Sequence, residues 1–306
     1  MNRHTFLDVL SIEIKALIRP NGKMFCNSAD SIAPSILLDS AKLEIPEING
    51  EGTHRVEINM KSGKYYADFR VEKWLGSEFP TIIYHHGNNE SPFDYDKPSK
   101  SSFYHIFVTH NTQFECNLIV IRATFHDLSY QAYQKKLEKL EHFVSMFTVS
   151  TRLIEALIQE IRKHNSERLI VSGLSLGGFV TNYHRAKYNT ADVYIPMLSG
   201  TRLGDMFTIS RYRKLTALKD NSTSENVRTL LNFSESFNAV LDKNVYPLLA
   251  LYDKYVEYDV QKHSYIGHPL EVIKRGHITG VIHFTAFREH VLYIMNNAGE
   301  MSEKNV

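Results

Sequence analysis

Cysteine, tryptophan and an excess of either charge are what this 306-residue chain has least of. Its two cysteines, Cys26 and Cys116, lie far apart and fit no metal or redox spacing, so neither a disulfide framework nor a thiolate metal site is expected. A reduced, cytoplasmic protein is the simpler expectation. With 35 Lys and Arg against 34 Asp and Glu, the chain has no broad electrostatic footprint for nucleic acid or an anionic membrane. It has no run of about 18 consecutive apolar residues, so no membrane-spanning helix is expected. The opening stretch, "MNRHTFLDVLSIEIKALIRPNGK", is interrupted by Asp8, Glu13 and Lys15 and shows no small-residue cleavage pattern. It reads as an amphipathic helix that ends near Arg19-Pro20 and packs on the body of the protein, not as a signal peptide. Low-complexity segments and internal repeats are absent too.

What is present is ordinary globular material, 43% apolar and 23% charged, enough for one large domain or a domain with an insertion. "HRVEINM" and "YYADFRVEKW" alternate apolar and polar positions and predict two antiparallel strands joined at Ser62-Gly63. "PTIIYHH" and "CNLIVIRATF" are nearly continuous apolar runs, as in strands buried on both faces, with a helix over "FYHIFVTHNTQF" between them. From Tyr130 to Asn165, residues such as Leu140, Val144, Phe147, Ile154 and Leu157 keep the three-and-four spacing of a long helix. "RLIVSG", "ADVYIPML", "YPLLALY" and "LEVIKR" predict further buried strands, and a helix around Ile282–Asn296 closes the pattern.

Strands alternating with helices imply an α/β fold, a mainly parallel central sheet with helices on both faces. Between Gly200 and Asn244 that rhythm breaks. "LGDMFTISRYRKLTALK" and "SENVRTLLNFSESFNAVL" predict helices with no strand between them, hence a helical cap insertion over one end of the sheet. The chain thus divides into an N-terminal extension packed on the core (1–53), a core (54–200 and 245–306) and the insertion (201–244).

"RLIVSGLSLGGFVTNYH" sets Gly173, Gly177 and Gly178 around Ser175, directly behind a run of strand-forming residues. Glycine inside a regular element costs about 0.5–1 kcal/mol relative to alanine, so the backbone here needs space that a side chain would fill. Gly173-Leu174-Ser175-Leu176-Gly177 matches G-x-S-x-G in the setting of strand, sharp turn and helix, which exposes the serine oxygen above the sheet. A serine hydroxyl is a poor nucleophile without a base to take its proton and an acid to orient that base. "YPLLALYDKYV" supplies Asp253 at the end of one strand, and "LEVIKRGHITG" supplies His277 just past the next. Asp259 and Glu257 are the alternative acids, while His268 precedes the last strand and falls at the wrong end of the sheet.

In these residues, and in the order Ser, Asp, His, the chain resembles the α/β-hydrolases over roughly residues 54–300. The segment 201–244 stands where many members insert a helical cap. The resemblance implies a catalytic triad of Ser175, His277 and Asp253. It also implies an oxyanion hole made by the backbone N–H groups of Leu176, which follows the nucleophile, and of Asn88, which follows His86-Gly87 in "TIIYHHGNNE". Asn89 is the neighbouring register for the second donor. The implied activity is hydrolysis of a carboxylic ester of a small-molecule acyl substrate through an acyl-enzyme, with no cofactor and no metal. "HDLSYQAY" lacks the glycine-rich, aspartate-containing turn of many members, which leaves the subfamily open, and the residues before 54 match nothing in the family pattern.

Other functions remain compatible with the same residues. An acyltransferase or thioesterase would use the same triad, and a non-catalytic binding protein can keep the fold. Arg202, Arg211, Arg213, Lys214 and Lys219 read as a solvated helix face in preference to a clamp for a phosphate-bearing acyl donor. Met206, Phe207, Phe233 and Phe237 are expected in the insertion's own core, an apolar acyl pocket being the alternative. His85, His86, His126 and Asp127 cluster near strand ends, but adjacent histidines on a strand point to opposite faces. His86 is therefore expected to brace the oxyanion loop, not to hold a metal.

Overall fold

The computed structural model describes residues 2–18, 22–218 and 220–303, with side chains through 297. The expected helix end at Arg19-Pro20, and Lys219, lie outside these residues. The chain starts with α1 (Arg3–Ile18) and α2 (Pro34–Ser40). A hairpin follows, β1 (Gly52–Met60) and β2 (Gly63–Lys73), with Met60 opposite Gly63. The turn is therefore Lys61-Ser62, one residue earlier than the sequence suggested, and Gly63 takes up the positive φ of 128° that the turn imposes.

Next come β3 (Thr81–His85), α3 (Ser102–Ile106), β4 (Asn117–Arg122), α4 (Tyr130–Lys136) and α5 (Leu140–Ile161). Then follow β5 (Leu169–Leu174), α6 (Leu176–Lys187) and β6 (Val193–Met197). Helices α7 (Leu203–Thr208), α8 (Asn221–Leu231) and α9 (Ser234–Asn238) precede β7 (Leu248–Ala250). The remaining elements are α10 (Tyr258–Gln261), β8 (Glu271–Ile273), α11 (His277–Val281) and α12 (Phe284–Glu303).

The eight strands form one sheet in the order β1-β2-β4-β3-β5-β6-β7-β8. β1, β2 and β4 pair antiparallel, and every pairing from β4 to β8 is parallel. Edge strand β8 is not the buried strand expected of "LEVIKR", since Glu271 is exposed and Val272 and Ile273 are half-buried; the other apolar runs behave as doubly buried strands should, because alternate residues enter opposite cores. Ile83, Ile119, Ile121, Leu169 and Val171 face one cluster, which α5 and α6 cover with Phe147, Leu157 and Phe179. Ile82, Tyr84, Leu118, Val120 and Ile170 face the other, closed by Phe103 of α3 and Phe287 and Val291 of α12.

Long-range partners break the expected helices. The predicted helix over 130–165 is two, because the backbone of Leu137, Glu138 and Leu140 bonds to the N-terminal segment. Phe25 N–H donates to Leu137 O, Asn27 N–H to Glu138 O, and Leu140 N–H to Ser28 O. Between β6 and β7, the first predicted helix stops when the Ser210 hydroxyl donates to Met206 O and accepts from Tyr212 N–H, opening a 3-10 turn at Arg211–Leu215. The second is split at Phe233, whose N–H turns to Thr201 O. The predicted helix over "FYHIFVTHNTQF" is likewise α3 followed by a kinked 3-10 segment, Val108–Gln113.

α1 buries one polar and one apolar side chain and leaves most of its apolar ones exposed. Asp8 and Ile12 are buried against the protein, while Phe6, Leu10, Ile14 and Leu17 are exposed, Leu17 by 80%. No helix among the described residues is long and apolar enough to cross a membrane.

Candidate active site

Where β5 ends, Ser175 adopts φ 53° and ψ −110°, a left-handed conformation rare for a residue with a side chain, and α6 begins at the next residue. Ser175 N–H donates to Met197 O at 2.8 Å, pinning the turn to β6. The glycines are there for close approach. A Cβ on Gly177 would lie 2.6 Å from the His85 carbonyl carbon, and one on Gly173 would lie 2.9 Å from Gly178 N. A methyl group at either position would push α6 away from the ends of β3 and β5.

Asp253 sits in the turn after β7, 1% exposed, and its Oδ1 accepts N–H bonds from Tyr255 and Val256, both at 2.7 Å. Its Oδ2 accepts from His277 Nδ1 at 2.7 Å, a bond that assigns the ring proton to Nδ1 and leaves Nε2 as a base. Burial disfavours charge on this ring, but the charge and hydrogen bond of Asp253, and the charge of Asp8, outweigh it and raise the His277 pKa above 6.5. Tyr255 stacks on the imidazole, centroids 5.1 Å apart.

Ser175 and His277 line one cavity of about 1050 Å³ together with Leu176, Asn88 and Asn89. The structure thus joins His277 to Asp253 directly and brings Ser175 to the same cavity; among the described residues no hydrogen bond links Ser175 Oγ to His277. The N–H of Leu176, first in α6, has no carbonyl within its helix to bond. Asn88 is anchored through its Oδ1, which accepts from Tyr133 OH, and Asn89 through its Oδ1, which accepts from Gln134 Nε2 at 2.8 Å. The alternative acids are used elsewhere: Asp259 accepts from Lys262 Nζ at 2.6 Å, and Glu257 accepts from Arg211 N–H at 2.8 Å.

One expectation about the histidines fails. His85 and His86 stack face to face with centroids 5.0 Å apart, because β3 ends at His85 and the strand alternation no longer applies at His86. His86 Nε2 accepts from Ala123 N–H at 3.1 Å, so its Nδ1–H donates to Gly87 O at 2.6 Å. Both ring nitrogens are thereby spent on tying the loop after β3 to the end of β4. Burial drives the pKa of all three clustered rings down, to about 4 for His85, about 3 for His126 and well below 6.5 for His86.

The residues between β6 and β7 divide. Met206 and Phe207 line the cavity with Phe143, Phe179 and Leu203. Phe233 packs on Tyr183, and Phe237 on Tyr265 and the Arg185 guanidinium. The cations are engaged internally: Arg202 and Arg228 pair with buried Asp205, and Arg211 and Lys214 with Glu13 of α1. Arg213 lines a separate surface depression.

Sequence reasoning missed Glu90, which shapes the loop after β3 by accepting from Gly87 N–H at 2.8 Å and from Ser102 N–H and Oγ–H at 2.7 and 2.5 Å. It also missed Asp8, whose presence in an apolar helix was a signal in itself, since a buried carboxylate must have partners.

Comparison with solved structures finds this architecture at low sequence identity. Acetyl xylan esterase 1 from Thermoanaerobacterium sp. JW/SL YS485 superposes with a TM-score of 0.51 and 14% identity, over 94% of each chain. Est1E from Butyrivibrio proteoclasticus, solved with ferulic acid bound, gives 0.54 and 15% over 76% of this chain and 95% of that one. Pyrococcus horikoshii acylaminoacyl peptidase gives 0.52 and 12% over 79% of this chain, which spans only 41% of the peptidase. No protein-family model and no curated protein sequence matches the chain.

Proposed function

We propose that this chain, which has the α/β-hydrolase fold, is a serine hydrolase of carboxylic esters with Ser175 as nucleophile, His277 as general base and acid, and Asp253 as the residue that orients His277. The observation that carries the reading is the Asp253–His277 bond of 2.7 Å, held at the same cavity as a serine on a left-handed strand–helix turn. By name the fold neighbours include an acetyl xylan esterase and an acylaminoacyl peptidase.

The chemistry follows from the tautomer. Ser175 Oγ attacks the ester carbonyl carbon as His277 Nε2 takes its proton, and the resulting oxyanion is held by the N–H groups of Leu176 and Asn88. Collapse breaks the bond to the alkoxy oxygen, which leaves with the proton from His277. Water then gives a proton to His277 and attacks the acyl-serine. The carboxylic acid departs and Ser175 recovers its proton. Asp253 stays ionised throughout and keeps Nε2 facing the reaction.

We assign residues 201–244 as a cap, on the ground that Leu203, Met206, Phe207 and Tyr212 form part of the cavity wall. With Met24, Phe143 and Phe179, that wall suits an apolar acyl group. Free Cys26 and Cys116 suit a reducing cytoplasmic compartment.

The test is intact mass after exposure to a fluorophosphonate. One adduct on wild type and none on a folded Ser175→Ala variant is the expected result. A folded wild type that takes up no reagent, or a Ser175→Ala variant that takes up as much, overturns the assignment.

A further inference from the structure

We propose that Asp8 of α1 is a positioning residue for the Asp253–His277 pair, its one carboxylate drawing together the two loops that carry them. Asp8 is fully buried. Its Oδ2 accepts from Lys254 N–H at 3.0 Å and from His277 N–H at 2.7 Å, and its Oδ1 accepts from Ile278 N–H at 3.0 Å. Lys254 adjoins Asp253, so the carboxylate spans from the acid's loop to the backbone of the base itself. These loops leave neighbouring parallel strands of only three residues each, which gives the sheet little hold on the residues beyond them. The proposal rests on the esterase reading for its functional meaning, although the geometry stands without it.

The surroundings are built to fit. A Cβ on Gly276 would lie 2.8 Å from Asp8 Oδ2, so the residue before His277 has to be small for the carboxylate to reach. Other α1 side chains support the same region. His4 Nδ1 and Thr279 Oγ1 are hydrogen-bonded at 2.8 Å, and Ser11 and Lys15 both bond the hydroxyl of Tyr255, whose ring stacks on His277. Asp8 also acts on His277 as a charge. The groups that bear on the imidazole are Asp253 and Asp8, which favour its protonation, Lys15, which opposes it, and Glu90 across the cavity.

Substitutions at Asp8 and Gly276, with two readouts, decide the matter. Asp8→Asn keeps the volume but removes the charge and turns an amide NH2 toward N–H donors. In a folded Asp8→Asn protein, kcat for a chromogenic ester should fall about 100-fold, the effect of misplacing a reacting group by roughly 1 Å, with KM nearly unchanged. The His277 pKa, followed by imidazole NMR with a His277→Gln protein to assign the signal, should drop. Gly276→Ala crowds the carboxylate without removing it, so it should be costly in the native background and cost little more once Asp8 is alanine. Unchanged kcat and unchanged His277 titration in Asp8→Asn overturn the proposal, as do Gly276→Ala and Asp8→Ala losses that simply multiply. If Asp8→Asn does not fold, Gly276→Ala alone is decisive: native kcat and native His277 titration in that protein count against the idea. A wild type that the fluorophosphonate does not label defeats the esterase reading instead, and the NMR titration still judges Asp8.

Discussion

Replacing Gly177 with alanine drives a methyl group into the end of β3. The new Cβ would lie 2.6 Å from the His85 carbonyl carbon and 2.8 Å from His86 O, where ordinary contact begins at 3.4 Å. The atoms it meets are backbone, so no rotamer change relieves the clash, and because the His85 carbonyl oxygen is nearer still, α6 must retreat by about 1 Å or more. Overpacking of this kind costs about 1–3 kcal/mol, and rigid neighbours put this site at about 3. At ~2–4 °C per kcal/mol for a domain of comparable size, calorimetry should show Tm falling by roughly 6–12 °C. The same retreat parts Leu176 N–H from the loop of Asn88. In the proposed mechanism this removes an oxyanion donor, which costs about 100- to 1000-fold in kcat, so ester turnover should collapse even well below the new Tm. Gly50→Ala is the control, since its Cβ would meet nothing within 4 Å. It should stay within about 0.5 kcal/mol of wild type. If Gly177→Ala melts and turns over like Gly50→Ala, the close approach of α6 to β3 is not as described and the reasoning fails.

If His277 is the base of the proposed mechanism, it must be neutral to act, so kcat/KM should rise with pH through a midpoint above 6.5, the direction in which Asp253 and Asp8 move that group. A profile flat from about pH 5 to 9, with chemistry limiting, would remove His277 as the base. The same raised pKa stabilises the fold fully below about 6.5, and that contribution is lost as pH rises through the folded-state value, so urea midpoints should show a small decline across that window. Arg185 is wholly buried and donates to Asn244 Oδ1 at 2.9 Å, Phe237 O at 3.1 Å and Asp242 O at 2.6 Å, tying α6 to the chain entering β7. Arg185→Ala strands those acceptors and should cost about 3 kcal/mol in equilibrium unfolding, and an unchanged urea midpoint would contradict that role.

What could be read from the sequence was what neighbours along the chain determine. The turn at Ser175 is enforced by glycines within a few residues, and the strands announce themselves through continuous apolar runs that the two cores then share out alternately. The placement of Asp253 and His277 followed from where those strands end. Breaks imposed from far away could not be read. Leu137 and Leu140 have good helical spacing, yet the Leu137 and Glu138 carbonyls and Leu140 N–H pair with residues 25–28. His85 and His86 misled because the alternation rule stops where β3 stops, a boundary that sequence places only to within a residue or two. Phe207 and Phe237 look alike in the sequence, but one lines the cavity and the other covers Arg185, a distinction made by packing alone. Asp8 was visible as an interruption, and its partners 246 to 270 residues away were not.

That separation gives α1 a further meaning in time. A ribosome releases Asp8 long before it makes Lys254, His277 or Ile278, so the carboxylate has no partners while most of the sheet is being synthesised. Closing so long a loop is only slightly costlier in entropy than closing a shorter one, because the cost grows with the logarithm of length, but it comes late in any order of assembly. The hydrogen bonds that bring α1 onto the residues beyond β7 and β8 therefore complete only when nearly every other element exists. A growing chain carries its serine turn without the finished surroundings of His277.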